Sequence, residues 1–291
     1  LIPFEIIDVS DLSEAVAALD PDDPSIRPIA GGTALMLMMK AGMFQPSKLI
    51  NLSAVGAKRS AIVAEADGSI RIGALASLRS LERSSAVRQA LPVLGRALHT
   101  LSNVRVRNVA TVGGALAHGD PHMDLPPVLI ALGAKARILG PDGERTVPVE
   151  ALVTGYYETQ LAGNELISEV IVPPQGERRS VYLKVTTRAA HDWPALGVAV
   201  ALSGHRDAVV AANLVISAVS GRALRMTEAA DLLVGNAPDD KLLRDVAEAC
   251  AAAVEPIDDA QGSVAYKRQL IRVYVRRALE QALAMTRERS S

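Results

Sequence analysis

Ala110-Thr111-Val112-Gly113-Gly114-Ala115-Leu116-Ala117-His118-Gly119-Asp120-Pro121-His122-Met123-Asp124-Leu125-Pro126 gathers a glycine pair, a neighbouring hydroxyl, small residues and two carboxylates into one turn-rich segment. Paired glycines open backbone conformations closed to other residues and leave no side chain in a ligand's way. Consecutive free N–H groups in such a turn form a concave nest for anionic oxygens. A carboxylate at Asp124 can accept hydrogen bonds from the hydroxyls of a sugar-like chain. An isolated Gly-Gly is equally at home in a tight turn between core elements, but the pattern recurs upstream. Ile29-Ala30-Gly31-Gly32-Thr33-Ala34-Leu35 has the same apolar lead-in, Gly-Gly, small residues and apolar run. Two such loops in one chain read as two sides of one extended polyanionic ligand. Neither is Gly-x-Gly-x-x-Gly, and no Gly-x-x-x-x-Gly-Lys-Ser/Thr occurs, so the Rossmann and P-loop readings both fail.

The remaining chain bounds the class. Its 291 residues suffice for two or three packed subdomains, and 49% of them are hydrophobic. A net charge of -1 gives no sign of nucleic-acid binding. Cys250 is the single cysteine; it lies in an Ala-rich helical run and reads as a buried structural thiol, since a cluster needs several thiolates. No apolar run reaches membrane-spanning length, and residues 1–7 lack a basic, signal-like opening, so the expected location is cytoplasmic. His118 and His122 are four apart, yet Gly119 and Pro121 between them argue against a helical metal pair. No Ser/His/Asp constellation and no general base pair is present, so no catalytic residue and no metal ligand is assigned.

Read in order, residues 1–7, 27–30 and 48–51 are strands, and 10–19 and 35–41 are helices capped or bounded by polar turns. Met36, Met38, Met39 and Met43 read as gap-filling core. Residues 62–66 and 69–73 form a hairpin around Asp67-Gly68. Helices follow over 77–84 and 86–97, the latter broken or begun near Pro92, and over 125–132. Arg105, Arg107 and Asn108 either approach phosphate or line a solvated loop face. Residues 134–139 and 145–149 form a second hairpin, and 165–172 a strand. A Pro/Gly/charge-rich linker lies near 174–179. Beyond it come strands over 180–187, 195–203 and 208–219, then helices over 227–234, 241–254 and 263–285. Strands followed by helices argue for an α+β domain.

The segments AGGTAL (30–35) and RNVATVGGALAHGDPHMDLPP (107–127) resemble the two signature loops of the FAD-binding medium subunit of molybdenum hydroxylases. That family includes the flavoproteins of carbon monoxide dehydrogenase and of xanthine-dehydrogenase-like enzymes. The resemblance implies an α+β architecture. Residues 1–174 would be a two-part FAD-binding domain of the PCMH/VAO type, with an internal boundary near 55. Residues 180–288 would be a C-terminal α+β domain of antiparallel sheet and helices.

The resemblance also implies roles. Ala30, Gly31, Gly32, Thr33 and Ala34, with Thr111, Val112, Gly113, Gly114 and Ala115, would line the FAD diphosphate. Asp124, rated above Asp120, matches the carboxylate that contacts the hydroxyl-bearing part of the cofactor. Leu101 and Ile167 match positions that pack on it. Lys184 matches a lysine near the flavin, where a cation favours the anionic reduced state; its other reading is a strand lysine facing solvent. Trp193 falls where some members place an aromatic near the isoalloxazine, and it reads equally as a core or interface anchor. A large subunit with a molybdenum cofactor and a small one with [2Fe-2S] clusters would complete a heterotrimer. Electrons would pass through FAD to an acceptor such as NAD, oxygen or quinone. The competing functions are a free-standing FAD-dependent oxidoreductase and a flavin-free assembly protein on the same fold.

Overall fold

The computed structural model describes residues 3–205 and 208–285. The first strand is Glu5–Asp8. Residues 1–2 of the strand expected over 1–7 lie outside the described residues, as do 286–288 of the expected C-terminal domain. Among the described residues, three main sheets follow one another along the chain, each with its own helices.

The first sheet is small and parallel. Lys48–Asn51 lies between Glu5–Asp8 and Ile26–Ile29, and helices Leu12–Ala18 and Leu35–Lys40 make the crossings. Asp11 caps the first helix by accepting from the Glu14 N–H at 2.9 Å, while the Glu14 carboxylate reaches back to the Ser10 N–H at 2.8 Å. Two otherwise orphaned donors are thereby satisfied reciprocally. The apolar face of this layer, with Val9, Leu12, Val16, Ile50 and Leu52, closes on Leu166 from the next sheet.

The second sheet is antiparallel, in the order Ile62–Ala64, Ile70–Gly73, Leu166–Val172, Lys135–Gly140, Gly143–Pro148. Leu166–Val172 comes last in sequence yet sits in the middle, as its nearly continuous burial requires. A bulge between Ile167 and Glu169 shifts its register and re-aims Ile167. Six helices are inserted between the second and fourth strands: Leu78–Arg83, Ser85–Ala90, Pro92–Thr100, Val104–Val109, Val112–Ala117 and Leu125–Ala131. Ser77, Ser84, Asn103 and Thr111 cap four of them by accepting backbone N–H bonds. Pro92 opens the third, where its missing N–H costs nothing.

The third sheet is antiparallel, in the order Arg179–Val185, Leu196–His205, Ala208–Ser217, Leu224–Arg225. Helices Thr227–Asp231, Asp240–Ala253 and Val264–Ala284 follow. Alternation divides its residues between two cores. Val198, Val200, Leu214 and Ile216 pack with Ile271, Val275 and Leu279. Ala199 and Val215 face the other way, into the core that contains helix Leu125–Ala131. The carbonyl end of that helix is closed by the same sheet: Asn213 donates to the Ala131 oxygen at 2.8 Å and Arg225 to the Ile130 oxygen at 3.3 Å.

Two expectations change. Of the clustered methionines only Met39 is buried; Met36 and Met38 are half-buried, Met38 on the cleft lining, and Met43, beyond the end of helix Leu35–Lys40, is 75% exposed. Arg107 neither meets solvent nor stands free for phosphate. It is 5% exposed and donates to Glu82 at 3.1 Å and to the carbonyls of Leu101 and Ser102 at 3.0 and 2.6 Å. Three acceptors hold one buried guanidinium, whose fork of donors suits that arrangement.

Ala199 is 1% exposed at the seam between the third sheet and helix Leu125–Ala131. Ala199→Leu overpacks that seam and lowers stability by about 1–3 kcal/mol, measured as a fall in the urea midpoint at unchanged m-value.

Candidate functional site

The two glycine loops meet. An added Cβ on Gly31 would stand 2.0 Å from the Val109 carbonyl oxygen and 2.9 Å from the Ala110 Cα. Only glycine permits that approach of backbone to backbone. Gly32 follows at φ +65°, turning the chain away before helix Leu35–Lys40. The contact joins the first and second sheets along one wall of a cleft of about 630 Å³.

The loops are unequal as anion hosts. In the second loop the amides are spent: Val112 N–H bonds the Ala76 oxygen at 3.0 Å, Gly113 N–H the Ala74 oxygen at 2.8 Å and Gly114 N–H the Thr111 Oγ1 at 3.1 Å. The nest expected there is therefore not formed, because the loop is the first turn of helix Val112–Ala117 pinned to the turn after strand Ile70–Gly73. In the first loop the N–H groups of Gly31, Gly32, Thr33 and Ala34 have no acceptor among the described residues, and all four residues line the cleft. Four successive unpaired amides on a tight loop are an anion cradle. The second loop supplies shape: Gly114 is exposed on the cleft wall and leaves it open.

Of the residues singled out in sequence, Ala30 to Ala34, Thr111, Gly113, Gly114, Ala115 and Ile167 line this cleft. Val112 and Leu101 lie in the hydrophobic core behind it. Asp124 and Lys184 form a buried pair away from the cleft lining: Lys184 Nζ donates to Asp124 Oδ2 at 2.8 Å and to the Thr100 carbonyl at 3.1 Å, while the Tyr182 hydroxyl donates to Asp124 Oδ1 at 2.6 Å. Burial pushes the Asp124 carboxyl above its usual range and the Lys184 ammonium pulls it back. Burial likewise raises the Tyr182 phenol, with the Asp124 charge adding to it. Trp193 is 55% exposed and stacks on His122, with ring centroids 5.5 Å apart and planes at 13°.

The opposite lip carries no motif and escaped the sequence reading. It runs from Thr154 through Tyr157, Glu158 and Thr159 to Glu165. Tyr157 sits at φ 58°, a left-handed conformation costing about 1–2 kcal/mol. Its N–H bonds the Gly119 oxygen at 3.1 Å, and its ring meets His118 edge-on at 5.0 Å. Arg145 grips Glu165 through two bonds of 2.7 Å and reaches Gln160 at 3.0 Å, fixing the loop between. The Arg145 hydrogen bond holds Glu165 below the ordinary carboxyl range, against burial. That contribution is complete above the ordinary value and is lost as pH falls through the lowered one. The available signal was aromatic scarcity: with five tyrosines in the chain, the adjacent pair Tyr156-Tyr157 stands out.

Among the described residues no group of His, Cys, Asp and Glu is arranged to hold a metal ion, and no helix is long and apolar enough to cross a membrane. Comparison with known proteins gives a consistent result. A family described as the FAD binding domain in molybdopterin dehydrogenase matches residues 2–175. The CO dehydrogenase flavoprotein C-terminal domain matches residues 181–282. The chain is 32% identical over 281 residues to the carbon monoxide dehydrogenase medium chain of Hydrogenophaga pseudoflava, covering 97% of each. It is 27% identical to the glyceraldehyde dehydrogenase medium chain of Sulfolobus acidocaldarius, covering 96% of this chain and 98% of the relative. The solved carbon monoxide dehydrogenase of H. pseudoflava lacking its Mo-pyranopterin moiety superposes with a TM-score of 0.93 at 33% identity, covering 98% of this chain and 99% of the other. Quinoline 2-oxidoreductase from Pseudomonas putida 86 gives 0.89 at 28% identity, covering 97% of each. With both domain families matched in order, the chain belongs to the family of FAD-binding medium subunits of molybdenum hydroxylases, as an oxidoreductase component.

Proposed function

We propose that the chain holds FAD in the cleft with the diphosphate on the first glycine loop, and that it relays electrons between a partner's iron–sulfur clusters and an external acceptor. The observation that carries this reading is the run of four unpaired amides from Gly31 to Ala34, locked in place by the backbone contact of Gly31 with Val109. The fit is supported by chemistry as well as shape. A diphosphate needs several donors close together, and the cleft volume of about 630 Å³ falls in the range of cofactor pockets. When bound, FAD supplies a ring system that takes up and releases electrons singly or in pairs.

The chain's own residues bind, shape and shield. Thr33 adds a hydroxyl beside the amide run, and Gly114 keeps the facing wall clear. Ile167 and Met123 offer apolar surface, and Leu101 and Val112 back it from the core. In this reading Lys184, fixed by Asp124 and Thr100 away from the cleft lining, serves the domain junction and not the ring. The FAD-binding part extends to residue 174, divided near 55, and the C-terminal domain begins at 180.

In this reading the protein is the middle member of a heterotrimer. Cys250 is the single cysteine and is buried, so the [2Fe-2S] clusters reside on the small subunit. The molybdenum cofactor resides on the large subunit. Electrons leave to an acceptor such as NAD, oxygen or quinone.

Acid denaturation of the purified protein should release about one FAD per chain into the supernatant, read by absorbance; protein that stays colourless and cannot be reconstituted contradicts the assignment. Gly114→Val places a branched side chain in the cleft while its Cβ meets only the Thr111 hydroxyl, at 2.9 Å. It should keep the fold, at a cost of about 1 kcal/mol through the disturbed cap, and lose FAD affinity at least about tenfold by titration. Normal affinity would move the diphosphate elsewhere. In the assembled complex the large subunit's substrate should bleach the flavin, whereas the same substrate mixed with this chain alone should not. Rapid bleaching by an organic substrate without partners would replace the relay with a self-sufficient flavoenzyme.

A further inference from the structure

A cluster of titratable side chains lies beside the cleft and plays no part in holding the cofactor. Asp120 is buried, with its carboxylate 2% exposed. Its Oδ1 accepts the His122 N–H at 2.9 Å and stands 3.2 Å from His122 Nδ1. On the far side of the imidazole, Nε2 is 3.7 Å from Asp259 Oδ2, whose side chain is 29% exposed. Asp259 is itself held by Lys267, fully buried on the C-terminal helix, at 2.6 Å, and the Lys267 ammonium also donates to the Ile257 carbonyl at 2.9 Å. Trp193 covers one face of the ring. The inner end of the cluster reaches the cleft. Gly119, the residue before Asp120, accepts the Tyr157 N–H, and both Tyr157 and His118 line the cleft.

We propose that Asp120, His122 and Asp259 form a proton path between solvent and the flavin cleft, with His122 as the carrier. The proposal rests on the FAD reading above. Electrons from an iron–sulfur cluster arrive one at a time and without protons, whereas full reduction of a flavin consumes both: FAD + 2 e⁻ + 2 H⁺ → FADH₂. Water supplies the protons at Asp259. One enters at His122 Nε2 as the ring turns to close the 3.7 Å gap, and the proton on Nδ1 leaves to Asp120 Oδ1. From Asp120 it passes to the His118–Tyr157 pair at the cleft wall. Each passage leaves the imidazole neutral with its proton moved from Nδ1 to Nε2, so the ring must reorient and present that N–H to Asp120 before the next proton enters.

The surroundings suit a carrier. The charged groups facing His122 are Asp120 from its own turn and Asp259 from the segment before the C-terminal helix, with Lys267 behind the latter; Trp193 faces it from the loop between the first two strands of the third sheet. Both ring nitrogens thus have a carboxylate. Desolvation holds His118 below its ordinary value, leaving it a neutral acceptor at pH 7, and burial followed by the Asp120 charge lifts Tyr157 to about 12, so its hydroxyl stays protonated. Of the two glutamates that line the cleft, Glu158 and Glu165, the latter is engaged by Arg145.

The test uses the purified complex carrying His122→Gln, with Asp259→Asn as a second variant. FAD content should match the wild type in both variants; the melting temperature should hold in His122→Gln and fall in Asp259→Asn, which leaves the buried Lys267 without its carboxylate. The rate of flavin reduction in single turnover should fall at least about tenfold, with a larger slowing in D₂O, and added imidazole should restore the rate in His122→Gly. A readout independent of turnover comes from Trp193, the single tryptophan. Its emission in the FAD-free chain should differ between wild type and His122→Gln, which removes the ring stacked on it at 5.5 Å. A His122→Gln complex with wild-type reduction rate and isotope effect, or an FAD-free His122→Gln chain with wild-type emission, overturns the path. A wild-type protein that binds no FAD overturns the parent reading instead.

Discussion

Contact between two backbones, Gly31 against Val109 and Ala110, is the constraint from which the cleft follows. It joins a parallel three-stranded layer to an antiparallel five-stranded one at a point where neither has side chains to interpose. A methyl group there would overlap the carbonyl oxygen, so the two layers would part and the wall of the cleft would open with them. The same contact explains why the amide run can stay unpaired. Loop 31–34 is stabilised by shape and by Gly32 at positive φ rather than by internal hydrogen bonds. An open set of donors costs free energy only when it is buried without an acceptor, and these face a cleft wide enough for water or a ligand.

The two loops look alike in sequence and do different things, which shows where sequence reading ran out. Gly-Gly with a neighbouring hydroxyl was legible twice, and both copies reached the same cleft. Whether their amides are free was not legible, because that depends on the carbonyls of Ala74 and Ala76 approaching from the turn after strand Ile70–Gly73, far earlier in the chain. Arg107 shows the same limit. Its charge suggested solvent or phosphate, but Glu82 and the carbonyls of Leu101 and Ser102 were brought around it by tertiary packing. The strands and helices of the C-terminal domain were readable from their alternation and periodicity. The lip from Thr154 to Glu165 was not, since a two-stranded hairpin with strands of two or three residues leaves no periodic trace.

Beside the Arg107–Glu82 pair inside the middle domain, buried charge is also paired at the junction with the C-terminal domain. Asp124 meets Lys184 and Tyr182 across the junction of the middle and C-terminal sheets, and Asp120 meets His122 where Asp259 approaches from the segment before the C-terminal helix, with Lys267 of that helix behind it. Charge pairs of this kind add little net stability over apolar packing, but breaking one side is costly. Their placement therefore favours one arrangement of the domains over alternatives. The third sheet, apolar on one face and fitted to helix Leu125–Ala131 on the other, supplies the attraction; the charge pairs supply the register.

That placement has a consequence for biosynthesis. The carboxylate of Asp124 leaves the ribosome sixty residues ahead of its lysine, and Asn213 and Arg225, which close the carbonyl end of helix Leu125–Ala131, come 82 and 95 residues after their acceptors. Until the third sheet is made, the nascent middle domain carries an unpaired acid and an open helix end on a surface destined for burial. Its final consolidation is thus deferred to the last third of translation, a contact order that slows folding and leaves the junction accessible while the chain is still growing.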